Sequence, residues 1–258
     1  MDRTVKRRDG TQPAGKRAVV GEGDVRVRRA YFDCRFGQLN VRTAFPGSGG
    51  FDERTTLLCL HPEWASSRWF TRFLPEIAHD RSVYAPDLPG CGESDAPVRR
   101  PSIADYAAAL ADFAATMRFR QLDVLGCRAG ALIAAELALA MPQTVRRLVL
   151  ASVPLFSAAE RAASPPAGEE ANPLLHNGPA AQWILAAARE YPVVERLTHV
   201  RQPTLLLRPR DDTSDHGARV HKLLHGARAV DLTEPGADLF SIASQAVAQQ
   251  VQTFLDTP

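Results

Sequence analysis

Residues 122–138, LDVLGCRAGALIAAELA, lead from an apolar stretch through Gly126-Cys127-Arg128-Ala129-Gly130 into an alanine-rich segment with helical spacing. This pattern predicts a strand that turns sharply into a helix, with Arg128 at the turn. Arginine is always protonated under physiological conditions and has no lone pair to offer, so Arg128 acts neither as base nor as nucleophile. It can bind a carboxylate or stabilise negative charge developing on an oxygen. Buried, it requires anionic or hydrogen-bonding partners. Beside it, Cys127 lies in an apolar run and reads as a structural thiol. Cys34, Cys59, Cys91 and Cys127 show no C-x-x-C spacing. His221 and His225 share a helix face but have no evident third ligand, so no metal site is expected. No phosphate loop or nucleotide fingerprint is present, and no cofactor is expected.

The elements that must position Arg128 follow from periodicity. Arg29–Phe36 and Gln38–Ala44 read as a hairpin turning at Gly37. TTLLCLH (55–61) is a short apolar run suited to a buried parallel strand. Ser66 or Ser67 caps a helix expected to run to about His79. RSVYAPD is a strand and LPGCGESDAP a turn-rich loop. Ser102 caps a helix whose apolar positions are Ile103, Tyr106, Ala107, Leu110 and Phe113. The strand VRRLVLAS follows the alanine-rich helix, and PTLLLRP, a helix near 215–225, the strand ARAVDL and a last helix from about Ser244 to Leu255 complete the chain. Strands alternating with helices imply an α/β fold with a mostly parallel sheet and helices on both faces. Between Val153 and about Val200 the alternation stops, and residues 153–200 are expected to form a small helical cap over the sheet's carboxyl edge. The core then comprises 26–152 and 201–258.

At 258 residues, with 45% hydrophobic and 23% charged residues, the chain can bury a large core. Residues 1–29 hold nine Lys/Arg against four Asp/Glu, although the net charge is only +2. Residues 1–25 therefore read as a disordered basic leader, not as a nucleic-acid-binding element. No signal peptide or membrane-spanning run is evident, which gives a cytoplasmic expectation with neither membrane nor nucleic acid as partner. The expected partner is a small-molecule substrate or ligand; the oligomeric state is left open.

Several segments, in order, resemble the α/β-hydrolase fold superfamily over roughly residues 29–255. LLCLHPEWASSRWF resembles its third strand and oxyanion loop, and VYAPDLPGCGESDAP the motif after the fourth strand. LDVLGCRAGALIAAELA resembles the nucleophile elbow, PTLLLRPRDD the strand carrying the acid, and EPGADLFSIASQAVAQQVQTFL the histidine loop and last helix. The resemblance implies a triad in the order Ser, Asp/Glu, His. Position by position, the nucleophile place holds Arg128, the acid place Asp212 (or Asp211 if the register slips by one), and the histidine place Ala237. Two of the three groups are thus missing, a degenerate triad. His216, His221 and His225 precede the last strand and read as an exposed helix face.

The candidate catalytic residues are Arg128, Asp212 and Asp238, the two aspartates being the expected partners of the guanidinium. The candidate binding residues are His61, Glu63, Trp64, Trp69, Ala129, Phe156 and Trp183. Pro62 has no N–H, so the backbone of Glu63 or Trp64 would supply one oxyanion donor and Ala129 the other. Trp64, Trp69, Phe156 and Trp183 could wall a pocket, with core packing the alternative for at least half of them. His61 has a structural role as its alternative.

Three functional readings follow. The first is a non-hydrolytic enzyme, such as a cyclase, lyase, isomerase or pericyclase, acting on a small apolar metabolite. The Ala/Arg-rich composition associates it with bacterial natural-product metabolism. The second is an inactive pseudohydrolase serving as a binding or scaffold protein. The third is an atypical esterase whose carboxylate activates water.

Overall fold

The computed structural model describes residues 25–47, 54–156, 178–234, 236 and 239–257. Eight strands form one sheet: β1 (Arg26–Cys34), β2 (Gly37–Phe45), β3 (Arg54–Leu60), β4 (Arg81–Pro86), β5 (Leu122–Cys127), β6 (Val145–Ala151), β7 (Thr204–Arg208) and β8 (Arg228–Asp231). Their order is β1-β2-β4-β3-β5-β6-β7-β8. Only β2 runs against its neighbours, pairing antiparallel with β1 and β4. The hairpin turns one residue earlier than the sequence suggests, because Gly37, at φ 111°, opens β2 instead of forming the bend.

Seven helices are seen among the described residues: α1 (Phe73–Ile77), α2 (Ile103–Thr116), α3 (Ala129–Ala140), α4 (Gly178–Glu190), α5 (Val193–Leu197), α6 (Ser214–Leu223) and α7 (Ser244–Leu255). The continuous helix expected from Ser66 to about His79 is instead a 3₁₀ turn, Ser67–Phe70, followed by short α1. Pro75 explains the break: it cannot donate to Thr71, and its ring opposes a helix through that point. It is tolerated in the first turn of a helix that begins at Phe73. α2 starts where expected, with Ser102 and Asp105 satisfying each other's backbone N–H in a capping box.

The sheet separates two apolar layers. One contains Phe70, Phe73, Leu74, Phe240, Val247 and Val251, joining α1 and α7 to one face. The other joins α2, α3, α4 and α6 to the opposite face. α3 is apolar on nearly all sides because it lies between the sheet and a further helical layer. Its one charge, Glu136, accepts from Tyr191 Oη at 2.7 Å and from Arg196 Nη2 at 2.8 Å, which fastens α4 and α5 to it. Alanine dominates α3 because small side chains let backbones approach. A methyl group at Gly126 would lie 2.6 Å from the Gly130 carbonyl carbon, and one at Gly130 would lie 2.6 Å from the His61 carbonyl oxygen. The Gly-x-x-x-Gly spacing is thus the packing condition for β5, α3 and the end of β3.

The last helix is tied to the sheet by arginines. Arg146 Nη2 donates to the Leu255 carbonyl at 2.9 Å, and Arg147 Nη1 donates to the Phe254 and Leu255 carbonyls at 2.9 and 2.7 Å. These bonds satisfy carbonyls that a helix leaves open at its C-terminus. Arg81, wholly buried at the start of β4, donates to Asp256 at 2.6 Å and to Asp80 at 3.0 Å.

Candidate functional site

The carboxyl ends of β3, β5, β6 and β7 converge, and the chain leaves each of them in a sharp turn. After β3, Ala65 N–H donates to the Pro62 carbonyl at 3.0 Å. That four-residue turn places Glu63 and Trp64 at its two corners. After β5, Arg128 adopts φ 54° and ψ −119°, a conformation that costs a non-glycine residue about 1–3 kcal/mol. Arg128 N–H donates to the Ala151 carbonyl at 3.0 Å, and the Arg128 carbonyl accepts from Ala131 at 2.9 Å. The strain is thereby held between β6 and the first turn of α3.

The Arg128 side chain is enclosed. Its Nε donates to Glu63 Oε1 at 3.2 Å. Its Nη1 and Nη2 clasp the two carboxylate oxygens of Asp212, the Nη2 bond measuring 3.0 Å. The Trp64 ring lies over the guanidinium, 4.5 Å from Cζ to the ring centroid. Glu63 Oε2 also accepts the Ala129 backbone N–H, at 3.3 Å. One carboxylate therefore spans the guanidinium and the first amide of α3. Burial opposes the Arg128 charge, but the bonds to Asp212 and the charge of Glu63 outweigh it and raise its pKa. The hydrogen bond from Arg128 holds the Asp212 carboxyl below the usual aspartate range, against a smaller opposing effect of burial, with a further small contribution from His216.

Of the two adjacent aspartates, Asp212 and not Asp211 reaches Arg128. Asp211 is already committed: its Oδ1 accepts from Thr213 N–H and Oγ1 at 2.9 and 2.6 Å, and its Oδ2 from Ser152 Oγ at 2.6 Å. Ser152, at φ 49°, and Gly236 close around it; a Cβ at Gly236 would fall 3.1 Å from Ser152 Oγ.

Other expected site residues lie elsewhere. His61 is fully buried: its Nε2 accepts the Leu88 N–H at 2.9 Å, and Nδ1 faces the Pro62 carbonyl at 2.8 Å. It joins two loops instead of facing a ligand, because both ring nitrogens are used, and burial lowers its pKa. Trp69 packs edge-on against Phe70 and Phe240 on the α7 side of the sheet, in the apolar layer opposite α3. Phe156 faces Arg189, 5.9 Å from ring centroid to Cζ. Trp183 is half-buried on α4 and takes no part in the hydrogen bonds or ring contacts around Arg128. Asp238 and Ala237, and residues 157–177 of the expected cap, lie outside the described residues, as does the leader apart from Val25. Cys127 is buried, and desolvation pushes its thiol pKa up, so it is unsuited to attack.

Glu63 takes an unexpected part. It was expected to offer a backbone donor; its side chain instead occupies the Ala129 donor. The available signal was an acidic residue in the loop that faces an arginine at the elbow. His216 was read as part of an exposed helix face, yet its Nδ1 accepts the Leu155 N–H at 3.2 Å. His221 Nε2 faces the Ala227 carbonyl at 2.8 Å. Among the described residues, no group of three His, Cys, Asp or Glu side chains could hold a metal ion. Likewise, none of the described helices is long and apolar enough to cross a membrane.

A parallel sheet with an elbow between β5 and α3 and an acid after β7 defines a class, and comparison with known proteins identifies it. Residues 55–183 match the model of the alpha/beta hydrolase fold family. The chain belongs to that family. An uncharacterised protein of Mycobacterium tuberculosis is 32% identical over 123 residues, 46% of this chain and 36% of that protein. The 2-hydroxymuconate semialdehyde hydrolase of Pseudomonas sp. strain CF600 is 37% identical over 91 residues, 34% of this chain and 30% of the enzyme. The matched stretch thus spans about a third of these curated relatives. A hydrolase from Pseudomonas aeruginosa PA01 superimposes with a TM-score of 0.74 at 22% identity, over 89% of this chain and 98% of that one. Carboxylesterase CesB from Bacillus subtilis does so with 0.68 at 18% identity, over 90% and 92%.

Proposed function

We propose that this chain is a non-hydrolytic member of the family, a pseudohydrolase that binds a small metabolite at the carboxyl edge of its sheet. The observation that carries this reading is the double engagement of Glu63, on Arg128 Nε and on the Ala129 N–H. Acyl transfer needs a nucleophile at the elbow and a free donor beside it for the developing oxyanion. Here a cation occupies the first place and an internal carboxylate the second. The histidine place holds Ala237 in the sequence, so the triad reads as degenerate.

A second reading keeps catalysis without a nucleophile: a cyclase, lyase or isomerase acting on an apolar metabolite. It is favoured by the Trp64–Arg128 stack, a flat charged platform that could polarise a carbonyl. The hydrolase relatives supply the contrary expectation, an esterase-type activity. Fluorophosphonate labelling and hydrolysis of short p-nitrophenyl esters test the esterase expectation against both non-hydrolytic readings. No serine labelling and no turnover above buffer are expected. Turnover that disappears in Arg128→Ala, or stoichiometric labelling of a serine, would overturn the non-hydrolytic reading.

A further inference from the structure

We infer that the clasp formed by Arg128 Nε and the Ala129 N–H is a receptor for the carboxylate of a small organic acid, and that Glu63 is its internal, displaceable occupant. This rests on the proposed binding role of the elbow. Both donors point at the two oxygens of one carboxylate, at 3.2 and 3.3 Å. Charge-assisted bonds of this kind settle near 2.7–2.9 Å when geometry is unconstrained. Glu63 reaches them from the corner of the Pro62–Ala65 turn and meets both at longer range. A free carboxylate carries no such tether and can approach both donors.

The charges agree with exchange. Arg128 faces two carboxylates, and they differ in exposure. The Asp212 side chain is 69% exposed, whereas that of Glu63 is 9% exposed. Asp212 can hold the guanidinium from the solvent side while the inner carboxylate is replaced. Exchange of Glu63 for a ligand carboxylate leaves the local charge unchanged, and the hydration regained by Glu63 offsets the hydration that the entering carboxylate loses. Trp64 covers a guanidinium face and would contact an apolar or aromatic ligand body next to the acid group. A tethered side chain competes as an effective concentration, so its removal must appear as a gain in affinity.

The probe is sodium benzoate, titrated against the full chain by calorimetry and by amide NMR, with sodium chloride at matched ionic strength and benzyl alcohol as controls. Glu63→Gln and Glu63→Ala are expected to bind benzoate at least about tenfold more tightly than the unmodified protein. The added change Arg128→Met should abolish the gain. Folded Glu63 variants with unchanged benzoate affinity would overturn the inference. If neither variant folds, the unmodified chain carries the test. Its Ala129 amide should shift with benzoate and not with benzyl alcohol, and an unmoved Ala129 resonance at saturating benzoate overturns the proposal. Ester turnover reads the non-hydrolytic assignment and carboxylate affinity reads this one, so failure of either is seen separately.

Discussion

Arg128 and Glu63 show how one residue's chemistry can be set by another's position. The elbow forces a side chain to project over the sheet, and an arginine there must be neutralised. Glu63 and Asp212 do so from the loops after β3 and β7, while Trp64 covers a face of the guanidinium. Arg128→Ala would leave Glu63 nearly buried without its cation, a loss expected to destabilise the fold by roughly 3 kcal/mol; urea unfolding at pH 7 measures it. His61 makes a different kind of contribution. It is held neutral in the core with its pKa below the ordinary 6.5, so the unfolded chain takes up a proton that the folded chain refuses. Its stabilising neutral form is fully present above pH 6.5, and its contribution falls as pH drops from there through the folded value. His61→Leu should therefore cost about 1–3 kcal/mol at pH 7.5 through the stranded Leu88 N–H. It should also flatten the fall of Tm between pH 6.5 and 5, and calorimetry across that range checks both effects.

At the scale of elements, the strongest sequence signals were those with a single physical cause. Apolar runs ending in polar residues became β3, β5, β6 and β7, because strands buried on both faces admit little else. The Ser102 cap and the Gly126–Gly130 turn were likewise legible, and the structure adds the reciprocal bond from Asp105. The single helix expected from a Ser66 or Ser67 cap gives way to a 3₁₀ turn and short α1, because a cap marks where a helix starts, whereas Pro75 decides that it cannot run through. At the site, the resemblance to the family pointed to Asp212 or Asp211 as the acid, and the place of Arg128 was legible from strand–turn–helix order. Their union with the Glu63 carboxylate was not, because it depends on the path of the Pro62–Ala65 turn, which periodicity does not report. Trp69, readable from sequence either as a pocket wall or as core packing, takes the second role, edge-on against Phe70 and Phe240. The packing of α3 against β3 gives an element-scale prediction. Gly130→Ala would drive a methyl group into the His61 carbonyl, backbone that cannot rotate away. It should cost about 2–3 kcal/mol in chemical denaturation, even though alanine is the better helix former.

Across the whole molecule, the sheet is closed at sites far apart in the chain. Arg81 and Asp256 are 175 residues apart and meet at 2.6 Å. Asp256→Ala should lower stability by about 1–3 kcal/mol, less than complete isolation of a buried charge would, because Asp80 remains on Arg81. Differential scanning calorimetry would show this as a lower Tm with the unfolding transition still cooperative. The same fastening has a consequence for synthesis. At typical ribosomal rates, Asp256 is made about 10 to 35 s after Arg81. Until then Arg81, Arg146 and Arg147 lack the acceptors that lie at the end of α7, and α1 alone covers an apolar face that the two helices otherwise share. A ribosome that stalls shortly before α7 would therefore release a product in which Arg81 and Arg146 keep Asp80 and Asp123 but Arg147 has lost the carbonyls of Phe254 and Leu255, and in which the apolar face that α7 covers lies open to solvent.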